Sequence, residues 1–329
     1  MKILTLPLVL LCFAFSLNAQ KTTIGTVERL KPEMDNFVAP NAKIELLADG
    51  FLWSEGPIWV DRLDALLFSD VPQNKIFRWD EKNGLSVFLD PSGYTGIAPG
   101  EKNGRKEPGS NGLTLDKQGR LIICMHGDRR VARLTDWEKT GFETIIGKYN
   151  GKHFNSPNDL VYAKNGDLYF TDPPYGLQKG DQDEFKELPF NGVYRLSVSG
   201  KLSLIVDNLT RPNGIAISND QKTLYVAISD PKNPRVMAYD LVLEGAKNAR
   251  IFFDGNLLAQ NNKGSFDGLK VHPSGTIFAT GPGGVLVISP QGTHLGTIRT
   301  GERIANCGFD SSYQYLYMTS HMYLTRIKL

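Results

Sequence analysis

Short apolar runs separated by turns rich in Gly, Asn, Asp and Pro recur along the chain from Ile44 onward, and helical periodicity is weak throughout. Evenly spaced runs of this kind predict antiparallel strands. The stretch that opens at Asn158 shows the unit most plainly. Residues 160–162 predict a first strand, Asn165-Gly166-Asp167 a turn, and residues 168–171, 193–196 and 202–206 the second, third and fourth strands. Glycine tolerates the positive φ that such turns need. Second strands are also predicted at 66–68, 121–123, 224–226, 277–279 and 316–318, and third strands at 76–79, 131–134, 236–239, 285–288 and 324–327.

The unit occurs six times, opening at Glu55, Asn111, Asn158, Asn213, Asp267 and Asn306, at intervals of 39 to 56 residues. Such intervals suit a four-stranded propeller blade of about 40–50 residues plus loops. The predicted fold is all-β: a six-bladed β-propeller of four-stranded antiparallel blades over residues 21–329. A β-sandwich, the competing arrangement, does not account for six similar units. The last unit runs out after three strands, and residues 44–47 (IELL) can supply its fourth, closing the ring and protecting the sheet edges. Residues 21–42 are then a leader packed on the outside. Two long irregular stretches, 92–109 and 173–190, are expected to flank the mouth of the central channel.

Composition narrows the setting. Of 329 residues, 41% are hydrophobic and 22% charged, which predicts a packed soluble core. The formal net charge of +2 comes without a basic stripe, so nucleic acid is not an expected partner. Lys2 followed by an apolar run to Leu17 is short for a membrane span and leads to a plausible cleavage region at residues 18–20. Residues 1–20 are therefore expected to be a signal peptide, with a buried first strand as the alternative. The expected location is exported, periplasmic or secreted, without a membrane anchor. Cys12 follows Leu11 rather than a small residue, which argues against lipid attachment. Beyond the signal, Cys124 and Cys307 are too few for a disulfide framework and read as buried free thiols.

In a propeller the first strand of each blade is innermost, so residues at matching positions approach one another on the axis. Glu55, Asn158, Asn213 and Asp267 would bring two carboxylates and two amide oxygens together. Oxygen-only ligation suits calcium, or magnesium and manganese, better than zinc. Asn and Asp before Gly are also ordinary turn residues, and their shared register is what favours convergence. Asn111 and Asn306 share it, which leaves some of the six as supporting or substrate-binding groups. His126 and Arg129 follow the second strand of their blade, in CMHGDRRV (124–131), and can either meet a polar ligand or form a solvated turn. His321 holds the comparable place in the last blade. Asp172, in FTDPPYG (170–176), lines the mouth or caps its turn. No G-x-S-x-G elbow and no phosphate-cradling glycine motif is present.

SEGPIW (54–59), EPGSNGLTLDKQGRL (107–121), CMHGDRRVARL (124–134), NSPNDLVYAKNGDLYFTDPPYG (155–176), RPNGIAISNDQKTLYVA (211–227) and FDGLKVHPSGTIFATGPGGV (266–285) resemble the gluconolactonase branch of the senescence-marker-protein/gluconolactonase family. The resemblance spans nearly all of the chain after residue 20. It implies a six-bladed propeller that hydrolyses a sugar lactone with one divalent cation, usually calcium. It implies Glu55, Asn213 and Asp267 as the core ligands, Asn158 as a ligand or close substrate contact, and Asp267 as the catalytic acid/base or, in a variant, the nucleophile. Asn111, His126, Arg129, Asp172 and His321 remain as substrate-binding candidates. Hydrolysis of other lactones or esters is the alternative within the enzyme class. A non-catalytic, calcium-stabilised propeller that binds carbohydrate or protein is the alternative outside it.

Overall fold

The computed structural model describes residues 22–96, 106–138, 141–243 and 245–329; the expected signal peptide and Cys12 lie outside the described residues. Six sheets follow one another around a ring. Blade 1 is Ser54–Val60, Ala65–Asp70, Lys75–Asp80 and Gly84–Leu89. Blade 2 is Ser110–Leu115, Leu121–Met125, Arg130–Leu134 and Phe142–Ile146. Blade 3 is Leu160–Tyr162, Leu168–Asp172, Asn191–Leu196 and Leu202–Leu209. Blade 4 is Pro212–Ile217, Thr223–Ile228, Arg235–Val242 and Gly245–Asp254. Blade 5 is Leu269–Val271, Ile277–Gly281, Gly284–Ile288 and His294–Arg299. Blade 6 has Asn306–Phe309, Tyr315–Ser320 and Tyr323–Lys328, and its fourth strand is Ile44–Asp49. The predicted six-bladed β-propeller, closed by an N-terminal strand, is the fold of this chain.

The core is divided among the blade interfaces. Leu121, Ile123 and Met125 face blade 1, against Val60, Leu67 and Ile76. Their strand neighbours Ile122 and Cys124 face blade 3, against Leu160, Phe170 and Tyr194. Successive side chains of a strand point to opposite faces. A strand sandwiched between two blades therefore has both faces buried and reads as a continuous apolar run. The same arrangement places Leu224 and Val226 against blade 3 and Ala227 against blade 5. Both cysteines are buried and free.

The leader does more than pack on the outside. Thr23–Ile24 adds a fifth strand to blade 6 and Thr26–Arg29 a fifth to blade 5. Beyond them Met34 and Val38, both fully buried, enter the core between those two blades beside Phe278, Ile298 and Met318. Among the described residues no helix is long and apolar enough to cross a membrane.

Candidate active site

The Asn-Gly and Asp-Gly pairs of the repeat are contacts between blades. The amide of Gly112 donates to the carbonyl of Asn158 (2.7 Å), that of Gly214 to Asp267 (3.1 Å) and that of Gly268 to Ala305 (2.8 Å). A Cβ on Gly214 would lie 2.2 Å from the Asp267 carbonyl oxygen, and one on Gly112 would lie 2.6 Å from that of Asn158. Glycine is needed there for close backbone approach. The small residue lets each inner strand bond its neighbour, and this brings the preceding Asn, Asp or Glu side chains together.

They converge on a cavity of about 400 Å³, lined by Glu55, Asn111, Asn158, Asn213 and Asp267 with Trp53, Glu107, Tyr175, Arg211, Ser229, Pro231, Gly264, Ser265, Arg303 and Ile304. Glu55, Asn111, Asn158 and Asn213 are buried, and Asp267 is partly accessible. Glu55 Oε2 accepts from the Gly56 amide (3.0 Å) and from Asn306 Nδ2 (3.3 Å). Asn306 Oδ1 accepts from the Cys307 amide (2.9 Å) and from Lys270 Nζ (3.2 Å). The amide of Asn306 is thereby turned with its donor toward Glu55, and its oxygen is spent away from the cavity. Lys270 Nζ also lies 3.9 Å from the buried carboxylate of Asp159. Asn213 Nδ2 reaches Ser229 Oγ at 3.4 Å, which leaves Asn213 Oδ1 without a partner.

Arg211 and Arg303 also line the wall, yet the charges that act most on Glu55 and Asp267 are those of other acids. Burial pushes the Glu55 carboxyl up to about 7, against the pull of the Gly56 amide and with the push of the Asp159 charge. Burial, then the charges of Glu55, Asp159 and Glu107, drive Asp267 well above the ordinary carboxylate range. Asn111 Oδ1, Asn213 Oδ1 and Asp267 Oδ1 are buried acceptors with no hydrogen-bond donor among the described residues. Buried polar atoms are normally satisfied, so unspent oxygens beside two repelling carboxylates fit a hard cation. Among the described residues no group of three His, Cys, Asp or Glu side chains is placed to hold a metal. The donor set is mixed, half carboxylate and half amide, and oxygen throughout.

Residues 53–322 match the family described as SMP-30/Gluconolactonase/LRE-like region. The chain belongs to this family. It is 37% identical over 316 residues to a gluconolactonase of Zymomonas mobilis, covering 94% of this chain and 88% of that protein. The structure of a gluconolactonase from Xanthomonas campestris superposes with a TM-score of 0.80 at 28% identity, covering 94% of this chain and 98% of that one. A calcium-binding regucalcin from Agrobacterium tumefaciens shares the fold, with a TM-score of 0.65 at 16% identity over 86% of this chain and 92% of that one.

In this SMP-30/gluconolactonase member, several expected substrate contacts lie away from the cavity wall. Arg129 donates through Nε to the Phe154 carbonyl (2.6 Å). Asp172 accepts the amides of Asn155 and Ser156 (2.8 Å each), holding the segment that leads into Asn158. His321 sits outside the wall, with its ring 5.5 Å from that of Trp53. His126 is fully buried behind Asn158, with Nε2 3.5 Å from Asn158 Nδ2. Burial drops its pKa to about 3, so the ring is neutral. Its Nδ1 lies 3.7 Å from Glu107 Oε2, and burial pushes that carboxyl up to about 7.

Glu107, Trp53, Tyr175, Arg211, Ser229, Ser265 and Arg303 are wall residues that the repeat did not reveal. A signal for part of this set was present. Trp53, Arg211, Ser265 and Ile304 each stand two residues before an opening residue, on the same face of the strand path. Glu107 and Tyr175 come from the two long loops, and through them each loop reaches the mouth; residues 97–105 of the first lie outside the described residues.

Proposed function

We propose that this chain hydrolyses a sugar lactone to the open-chain hydroxy acid, using a divalent cation, preferably calcium, held by Glu55, Asn158, Asn213 and Asp267. The observation that carries the reading is the convergence of Glu55, Asn213 and Asp267 from three blades on one cavity, with buried oxygens of Asn213 and Asp267 left unpaired. The lactonase names of full-length relatives support the substrate class. Oxygen ligands of mixed charge favour calcium, with magnesium and manganese next and zinc last. Exported and soluble is the proposed setting.

A bound cation supplies Lewis-acid polarisation of the lactone carbonyl. The chain's own groups supply the proton traffic. Asp267 accepts a proton from the attacking water as its oxygen bonds to the carbonyl carbon. The carbon–oxygen bond of the ring then breaks, and Glu107 gives a proton to the departing ring oxygen. Asp267 and Glu107 are matched to these roles by location, one among the proposed ligands and the other on the loop side of the same cavity. Ser265 Oγ and Asn111 Oδ1, both without partners among the described residues, are available to substrate hydroxyls.

Asp267→Asn keeps the size and loses the base. The variant should show native circular dichroism and no measurable aldonolactone hydrolysis in a pH-stat assay; undiminished hydrolysis rejects the role given to Asp267.

A further inference from the structure

Two guanidiniums line the same cavity as the carboxylates, and each is seated on an aromatic ring. Arg211 Cζ lies 5.4 Å from the Tyr175 ring centroid, and Arg303 Cζ lies 5.6 Å from that of Trp53. A guanidinium over a ring face is held in plane while its edge donors stay free to bind a planar acid. Arg211 bonds Asp181 at 3.3 Å and also meets the Tyr175 hydroxyl, so Arg303 is the less engaged of the two. Arg303 is exposed, and among the described residues it has no hydrogen bond or ion pair.

We propose that the preferred substrate is an anionic sugar lactone, carrying a carboxylate or phosphate on the carbon remote from the lactone carbonyl, and that Arg303 and Arg211 bind that acid group.

The inference rests on the lactonase reading and deepens it. Neutral hydroxyls are already served by Asn111 Oδ1 and Ser265 Oγ, so two cations exceed what a neutral sugar requires. An anion near Glu55 and Asp267 would be repelled, so its place must be away from them. Arg211 precedes Asn213 by two residues and Arg303 precedes Asn306 by three. At about 3.3 Å per residue the strand path carries these positions roughly 7–10 Å from the level of the opening residues. That offset suits a ligand whose carbonyl sits at the carboxylates and whose far carbon points to the mouth. A cavity of about 400 Å³ holds one molecule of monosaccharide size.

The test measures kcat/KM of the calcium-loaded full chain on glucono-lactone, on a glucaric acid lactone and on a 6-phosphogluconolactone. At least one acid-bearing lactone should exceed the neutral one by about tenfold or more, mainly through KM, as charge-assisted hydrogen bonds allow. The two charged substrates separate carboxylate from phosphate recognition. Arg303→Met and Arg211→Met should each narrow that ratio. Calorimetry should show glucarate or 6-phosphogluconate binding the chelated protein more tightly than gluconate, and the difference should shrink in Arg303→Met. A neutral lactone turned over as efficiently as both charged ones overturns the inference and leaves the lactonase reading standing. Proportional losses on all substrates in both variants overturn it too. No turnover of any lactone defeats the lactonase reading, and the inference falls with it.

Discussion

Asn306 donates from Nδ2 to Glu55 Oε2 at 3.3 Å, joining residues of blades 6 and 1 that lie 251 positions apart. Its own oxygen is fixed by Lys270 and the Cys307 amide, so the direction of the bond is set by the surroundings rather than chosen. Glu55 Oε2 is doubly engaged, and Oε1 is the oxygen left for a ligand. Asn306→Ala should therefore weaken calcium binding about 10–100-fold by calorimetry, the usual cost of losing a group that orients a ligand. Unaltered affinity would make Asn306 mere filling of the channel.

Glu107 gives a pH dependence with a defined sign. Burial raises its pKa to about 7, so the carboxyl keeps its proton below neutrality and loses it above. A group that acts as an acid is competent only while protonated. The kcat of the wild-type protein should fall as pH rises through about 7. Glu107→Gln should lower kcat by about 10²–10⁴-fold and remove that limb of the profile. A variant with the same limb assigns the titration to another group.

The ring is also held by a residue far from the chemistry. Met34 of the leader is fully buried between blades 5 and 6, touching the position where Gly296 must stay small: a Cβ there would lie 3.0 Å from Met34 Sδ. Met34→Ala should cost about 2–5 kcal/mol of stability, seen as a lower Tm, with kcat on a lactone unchanged at temperatures below unfolding.

How much of this was readable depends on where the signal lies. The apolar runs at 121–123 and 224–226 announced strands because both faces are buried between blades, and residues 44–47 announced ring closure because blade 6 lacked a strand. The convergence of Glu55, Asn213 and Asp267 was legible because blade register is written in the glycine that follows. Asn111 and Asn306 share that register, yet only Asn111 lines the cavity, because Lys270 captures the oxygen of Asn306 from a neighbouring blade. No local pattern carries such a contact. Arg129 and Asp172 resembled site groups by type and position, but their charges hold the Phe154 carbonyl and the Asn155 and Ser156 amides. Glu107 and Tyr175 lie on long loops, where no repeat marks one residue above another. The leader's two edge strands do lie on the outside but were too short to show a period, and no repeat marked Met34 and Val38 as core residues.

A calcium titration of the chelated protein addresses the central claim most directly, following bound ion by calorimetry and aldonolactone hydrolysis in the same samples. The account predicts no turnover without the ion and a rise in rate that saturates with one calcium per chain. Full turnover in the chelated protein, or a rate that ignores the binding curve, would contradict it.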